Sequence, residues 1–103
     1  MNIMNPPVTS VIIPNANATV SGTRAPLDAS ANDNIGVTKV EFHLSGNGIS
    51  HQIIATATPT LYGWLAQWNS TIVGNGSYNV WSVAYDAAGA SGSSSPISVT
   101  VSN

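Results

Sequence analysis

An all-β sandwich with one core is the fold this sequence predicts, on three observations. Short apolar runs broken by Gly, Pro, Asn and Asp recur about every ten residues, and no stretch keeps a helical period. Ser, Thr and Asn fill 34 of 103 positions, and these residues suit turns and short strands better than helices. The apolar share of 43% is enough for a single core at this length, and with no cysteine that core closes without disulfides.

Seven strands follow in order. Val8 to Ile13 is the first, stopped by Pro14 and the turn-rich Asn15-Ala16-Asn17-Ala18, with residues 1–7 before it as a linker and residues 8–103 as the domain. Thr23 to Ala31 places Ala25, Leu27, Ala29 and Ala31 on one face, and Pro26 marks an edge or a bulge. In Val37 to Ser45, Val40, Phe42 and Leu44 alternate strictly with Lys39, Glu41 and His43, so one face reads as core and the other as wet. Ile49 to Thr56 is the fourth strand, its inward face left open by the adjacent Ile53 and Ile54. Leu61 to Trp68 puts Tyr62, Trp64, Ala66 and Trp68 on one face, and these large rings are expected to fill the core. The turn Gly74-Asn75-Gly76 starts Ser77 to Asp86, whose Tyr78 and Val80 point inward, and Ile97, Val99 and Val101 mark the last strand.

Seven short strands in about a hundred residues, without helix or cysteine pair, is the pattern of an immunoglobulin-like antiparallel β-sandwich. Three segments resemble the bacterial immunoglobulin-like domains that occur as tandem repeats in secreted and cell-surface proteins. They are Asn17-Ala18-Thr19-Val20-Ser21-Gly22, then Asp33-Asn34-Ile35-Gly36-Val37 leading into Lys39-Val40-Glu41-Phe42, and Gly76-Ser77-Tyr78 leading to Ala84-Tyr85-Asp86-Ala87-Ala88-Gly89. The resemblance implies a spacer, stalk or adhesive unit beside other domains, and it brings no catalytic motif. The chain departs from the family's habit at Ala90, where Asn is common, and at Trp81, where a polar residue is common.

Charge narrows the partners. Only Arg24, Asp28, Asp33, Lys39, Glu41 and Asp86 are charged, for a net charge of −2. Two basic side chains cannot neutralise a run of phosphates, which argues against nucleic acid and anionic membrane surfaces. No apolar run is long enough to span a bilayer. Met1 to Pro7 lacks the basic start and apolar centre of a signal peptide, so the chain reads as one module of a longer extracellular protein whose neighbouring domains are its first partners.

Trp81 and Tyr85 share the outward phase of their strand, and in this topology Lys39 and His43 lie beside them. That face is the candidate binding surface for a polysaccharide or another surface protein, since flat rings with polar edges serve both. The competing reading is cross-strand packing, with Lys39 lying along the rings. Asp33 and Asp86 fall near loops at one end, with Asn32 and Asn34 close by, and are the candidate calcium ligands; no other cofactor is indicated. Tyr78 follows a turn at the start of its strand, where its hydroxyl is expected to reach back to upstream backbone. His43 and His51 lie in strands with polar neighbours, and no nucleophile elbow, phosphate loop or zinc-binding helix accompanies them, so an enzyme is not expected.

Overall fold

A computed structural model describes residues 6–103. It holds two sheets and ten strands: β1 (Val8–Ile13), β2 (Ala18–Val20), β3 (Ala25–Asn32), β4 (Val37–Gly46), β5 (Ile49–Thr56), β6 (Thr58–Thr60), β7 (Gly63–Trp68), β8 (Gly76–Asp86), β9 (Ser91–Ser93) and β10 (Ile97–Val101). One sheet runs β1-β3-β7-β6. The other runs β2-β10-β8-β4-β5, with β9 also paired to β8. Among the described residues the only helical element is the turn Ser70–Ile72, capped by Asn69, whose side chain accepts from the Thr71 amide.

The count of ten corrects the expected seven, and the three additions are β2, β6 and β9. Each is three residues long, too short to show an alternation. The sandwich is not wholly antiparallel either, because β2 pairs in parallel with β10. The chain leaves the first sheet at Pro14, turns through Asn17 at φ 67°, and joins the second sheet, so one stretch of chain contributes an edge to both. A left-handed residue is needed at that corner, and Asn tolerates the conformation.

The core lies between the sheets. Val40, Phe42 and Leu44 of β4 are fully buried, as are Leu27 and Ala29 of β3, Tyr78, Val80 and Ala84 of β8, Val99 and Val101 of β10, and Trp68 of β7. Trp64 is half-buried and packs against this cluster. Tyr62 departs from its expected place in the core and is 83% exposed. Thr60 pairs with Gly63, so Leu61 and Tyr62 form the two-residue tip of the β6–β7 hairpin, outside the alternation that places Trp64, Ala66 and Trp68. In β5 the pairing shifts from Phe42–Ala55 to His43–Ile53. Ile54 is the extra residue of this bulge and turns to the core, while Ile53 stays outside.

A buried polar chain joins the sheets. Thr9 Oγ1 donates to the Ser30 carbonyl at 2.7 Å within the first sheet and lies 2.8 Å from Ser82 Oγ in the second; the Ser82 amide donates to Ser94 Oγ at 2.8 Å. Pro7 packs here too. It corrects the expected linker boundary, because it is buried and its carbonyl lies against Gly92, so packing starts one residue before β1. Residues 1–5 of the expected linker lie outside the described residues.

The two ends of the sandwich are set by register. Val8 pairs with Asn32, next to the β3–β4 turn, and Val37 beyond that turn pairs with Asp86. Val101 pairs with Gly76, at the far end of β8. The chain therefore enters the sandwich at one end and leaves at the other, in a body with principal extents of 50 × 28 × 19 Å. The ten strands make seven passes along the body, because β1 and β2, β5 and β6, and β9 and β10 each run on in one direction, and an odd number of passes sets entry and exit at opposite ends.

Candidate functional site

The outer face of the second sheet carries the candidate binding residues. Strand alternation sends Lys39, Glu41 and His43 of β4 to this face, and Trp81, Val83 and Tyr85 of β8 stand opposite, with Lys39 paired to Tyr85, Glu41 to Val83 and His43 to Trp81. Lys39, His43, Trp81 and Tyr85 are thus brought together as the sequence suggests. The face is not wet, however: Glu41 is 8% exposed and His43 6%.

Contacts among these residues explain the burial. Tyr85 donates its hydroxyl to Glu41 Oε1 at 2.9 Å, His43 Nε2 lies 3.2 Å from the same oxygen, and Lys39 Nζ is 3.5 Å from Oε2. Lys39 also sits over the Tyr85 ring, 4.4 Å from its centroid. Burial pushes the Glu41 carboxyl up, but the hydrogen bonds from Tyr85 and His43 and the Lys39 charge outweigh it and hold Glu41 below the usual glutamate value. The bond to this carboxylate, with burial and the carboxylate's charge, raises the Tyr85 hydroxyl above its ordinary value.

The second half of the face is a ring cluster. His43 Nδ1 is 2.5 Å from His51 Nε2, and the centroid separations are 4.8 Å for His43–His51, 5.6 Å for His43–Trp81 and 5.3 Å for His51–Trp81, all tilted. If His43 donates from Nε2 to Glu41, its Nδ1 is free to accept the His51 Nε2 proton, so the neutral pair satisfies both bonds. The sequence places Glu41 on this face with Lys39 and His43, but it announces neither the burial of Glu41 nor His51 as a member of this group. The β5 bulge sets the phase that carries His51 here, and adjacent Ile53 and Ile54 conceal that phase in the sequence.

One open feature adjoins the cluster. A shallow hollow of about 280 Å³ is lined by Ser45, Asn79, Trp81, Ser93, Ser94 and Pro96. It forms because two strands share one edge of the long β8: β9 pairs with Val83 to Tyr85 and β10 with Gly76 to Val80, and between them no strand pairs with Trp81 and Ser82, where Ser94 alone meets the Ser82 backbone.

The candidate metal residues lie elsewhere. Asp33 follows β3 and Asp86 closes β8, both at the end where the chain enters. Asp86 Oδ1 accepts from the Ala88 and Ala90 amides at 2.9 Å, and Asp33 Oδ2 accepts from the Ile35 amide at 3.2 Å. Among the described residues no group of three or more His, Cys, Asp or Glu side chains is placed to hold a metal ion. Tyr78 donates its hydroxyl to the Gly74 carbonyl at 2.6 Å and accepts from Asn47 Nδ2 at 3.1 Å, a structural role that ties the β4–β5 turn to the start of β8.

Known proteins place this architecture. A fibronectin(III)-like module structure from Clostridium thermocellum CbhA aligns with a TM-score of 0.68 and 25% identity, over 91% of this chain and 94% of that one. The endo-β-1,4-mannanase of Thermotoga petrophila aligns at 0.72 and 12% identity over 96% of this chain, which spans 20% of the mannanase chain. An engineered protein aligns at 0.67 and 20% identity, again over 20% of its length. No curated protein matches the sequence. The family described as bacterial Ig domain matches residues 7–81, from Pro7 in the packed base through Trp81 on the outer face, and the chain belongs to that family.

Proposed function

We propose that this domain is a non-catalytic connector in a larger extracellular protein, holding its neighbours at a set distance and orientation. The observation that carries this reading is the entry of the chain at the Asn32 end and its departure at the Gly76 end, as a bead in a string requires. The outer face supports it. Lys39 covers the Tyr85 ring and two imidazoles pack beside Trp81, so these aromatics are engaged within the sheet rather than bare. The similar Clostridium thermocellum domains are themselves modules of CbhA. Among the described residues no helix is long and apolar enough to cross a membrane.

The test uses the lack of native cysteine. Dyes attached through Pro6→Cys and Ser102→Cys should report one narrow distance distribution, unchanged in moderate denaturant until the domain unfolds. A broad or short distribution in the folded state sinks the connector reading.

The hollow beside Trp81 favours a second reading, a carbohydrate contact with the indole as floor and Ser and Asn side chains as rim. Polysaccharide binding that disappears in folded Trp81→Ala would install it. Silence across a panel of polysaccharides would leave the connector alone.

A further inference from the structure

Two aspartates at the end where the chain enters each leave one oxygen without a partner. Asp86 is 4% exposed, its Oδ1 is occupied by two backbone amides, and its Oδ2 is buried with no hydrogen bond. Asp33 repeats the pattern, with Oδ2 bonded to the Ile35 amide and Oδ1 buried and unpartnered. Asp86 ends β8 in the inward phase, two residues beyond Ala84, which is buried in the core, and Asp33, just past β3, stands two residues beyond Ala31, which packs against it. They come from opposite sheets, and the pairing of Val37 with Asp86 sets the β3–β4 turn beside the end of β8.

An ionised carboxylate oxygen out of water with no donor is costly, and two of them at one end of a sandwich compound the cost. A cation removes both costs together. We propose that Asp33 and Asp86 bind one calcium ion at this end, through Asp33 Oδ1 and Asp86 Oδ2. Two carboxylate oxygens suit a hard cation that takes oxygen ligands in flexible number, and carbonyls of residues 33–36 and 87–90 would supply the remainder. The ion would clamp the β3–β4 turn to the β8–β9 turn, at the end of the domain that meets whatever precedes it. This inference does not depend on the connector reading.

The experiment is thermal unfolding and calorimetric titration of the EDTA-treated protein with CaCl2 and, separately, MgCl2. The wild type is expected to bind one calcium and to gain about 5 °C or more in melting temperature when calcium far exceeds Kd. Asp33→Asn and Asp86→Asn keep the oxygen that caps the turn, so they should fold and lose the calcium response. A wild type that shows neither heat nor a melting shift up to about 10 mM calcium, well above the range of extracellular calcium modules, overturns the proposal. So does a response that survives in the double variant. An equal response to magnesium overturns the assignment to calcium. If a variant does not fold, the wild-type stoichiometry and melting response still decide.

Discussion

The Tyr85 hydroxyl and Glu41 Oε1 are 2.9 Å apart across neighbouring strands, and that bond anchors a carboxylate that is almost wholly out of water. Tyr85→Phe removes the donor and keeps the ring under Lys39. Hydrogen bonds to charged acceptors contribute more than neutral ones, so a loss of about 1–2 kcal/mol is expected, read from urea unfolding with an unchanged slope. A change of slope would mean that the face itself had rearranged.

The same carboxylate makes stability depend on pH. Glu41 titrates lower in the folded chain than in the unfolded one, so its ionised form contributes stability that is fully present above the ordinary value of 4.5 and is lost as pH falls through the folded value. Tyr85 acts in the opposite range: its raised value gives stability present below 10 and lost as pH rises through the folded value. Glu41→Gln is therefore expected to flatten the acid limb of the stability profile, measured as melting temperature from about pH 3 to about pH 7, the range in which carboxylates and imidazoles take up protons. An acid limb as steep in the variant as in the wild type would assign the pH dependence to other groups.

The strands that bury a face on their own could be read from the sequence, and those that depend on a neighbour could not. Val40, Phe42 and Leu44 alternate with charged and polar residues, and the periodicity alone assigns their faces. The strands β2, β6 and β9 exist because an adjacent strand offers free backbone groups, and three residues carry no period. Tyr62 has the same spacing from Trp64 as a buried strand residue, yet it lies at the tip of the β6–β7 hairpin and β7 begins one residue after it. On the candidate face, the pairing of Lys39, His43, Trp81 and Tyr85 followed from the topology. The arrival of His51 did not, because it depends on a bulge at Ile54, and neither did the burial of Glu41, which depends on side chains closing over the sheet.

Tyr62 gives a direct check on that difference. At the exposed tip of its hairpin it makes no contribution to the core, so Tyr62→Ser is expected to change stability by no more than about 0.5 kcal/mol. Trp68→Ala, from the same stretch but fully buried, is expected to cost about 3–5 kcal/mol. Equal effects in denaturant titrations would place Tyr62 in the core after all.

Gly92 is fixed by close approach rather than by its dihedral angles. A Cβ there would run into the Pro7 carbonyl, backbone against backbone, where neither chain can rotate away. Gly92→Ala is expected to separate β9 from the start of the domain and cost about 1–3 kcal/mol, in line with overpacking elsewhere. At Gly89, which has φ of 87° and no atom within 4 Å of a built Cβ, alanine should cost only the backbone strain, about 1–2 kcal/mol. Hydrogen exchange separates the two: Gly92→Ala should expose amides of β1 and β9, while Gly89→Ala leaves β1 protected.

Asn103 closes the end where the chain leaves, and its side chain does so with groups from two distant segments. Its Oδ1 accepts from the Gly22 amide at 2.8 Å and its Nδ2 donates to the Ser70 carbonyl at 3.1 Å, while Ser70, fully buried, donates its own hydroxyl to the Gly22 carbonyl at 2.8 Å. Asn103→Ala removes the side-chain bonds but keeps the backbone bond from the Asn103 amide to Asn75 Oδ1. Because these groups are partly exposed, water replaces some of what is lost, and a cost of about 1–2 kcal/mol is expected. Asn103→Asp is the informative partner: it keeps the acceptor for Gly22 and loses the donor to Ser70, so its loss should fall between wild type and alanine. An aspartate variant as unstable as alanine would assign the effect to the Ser70 contact alone.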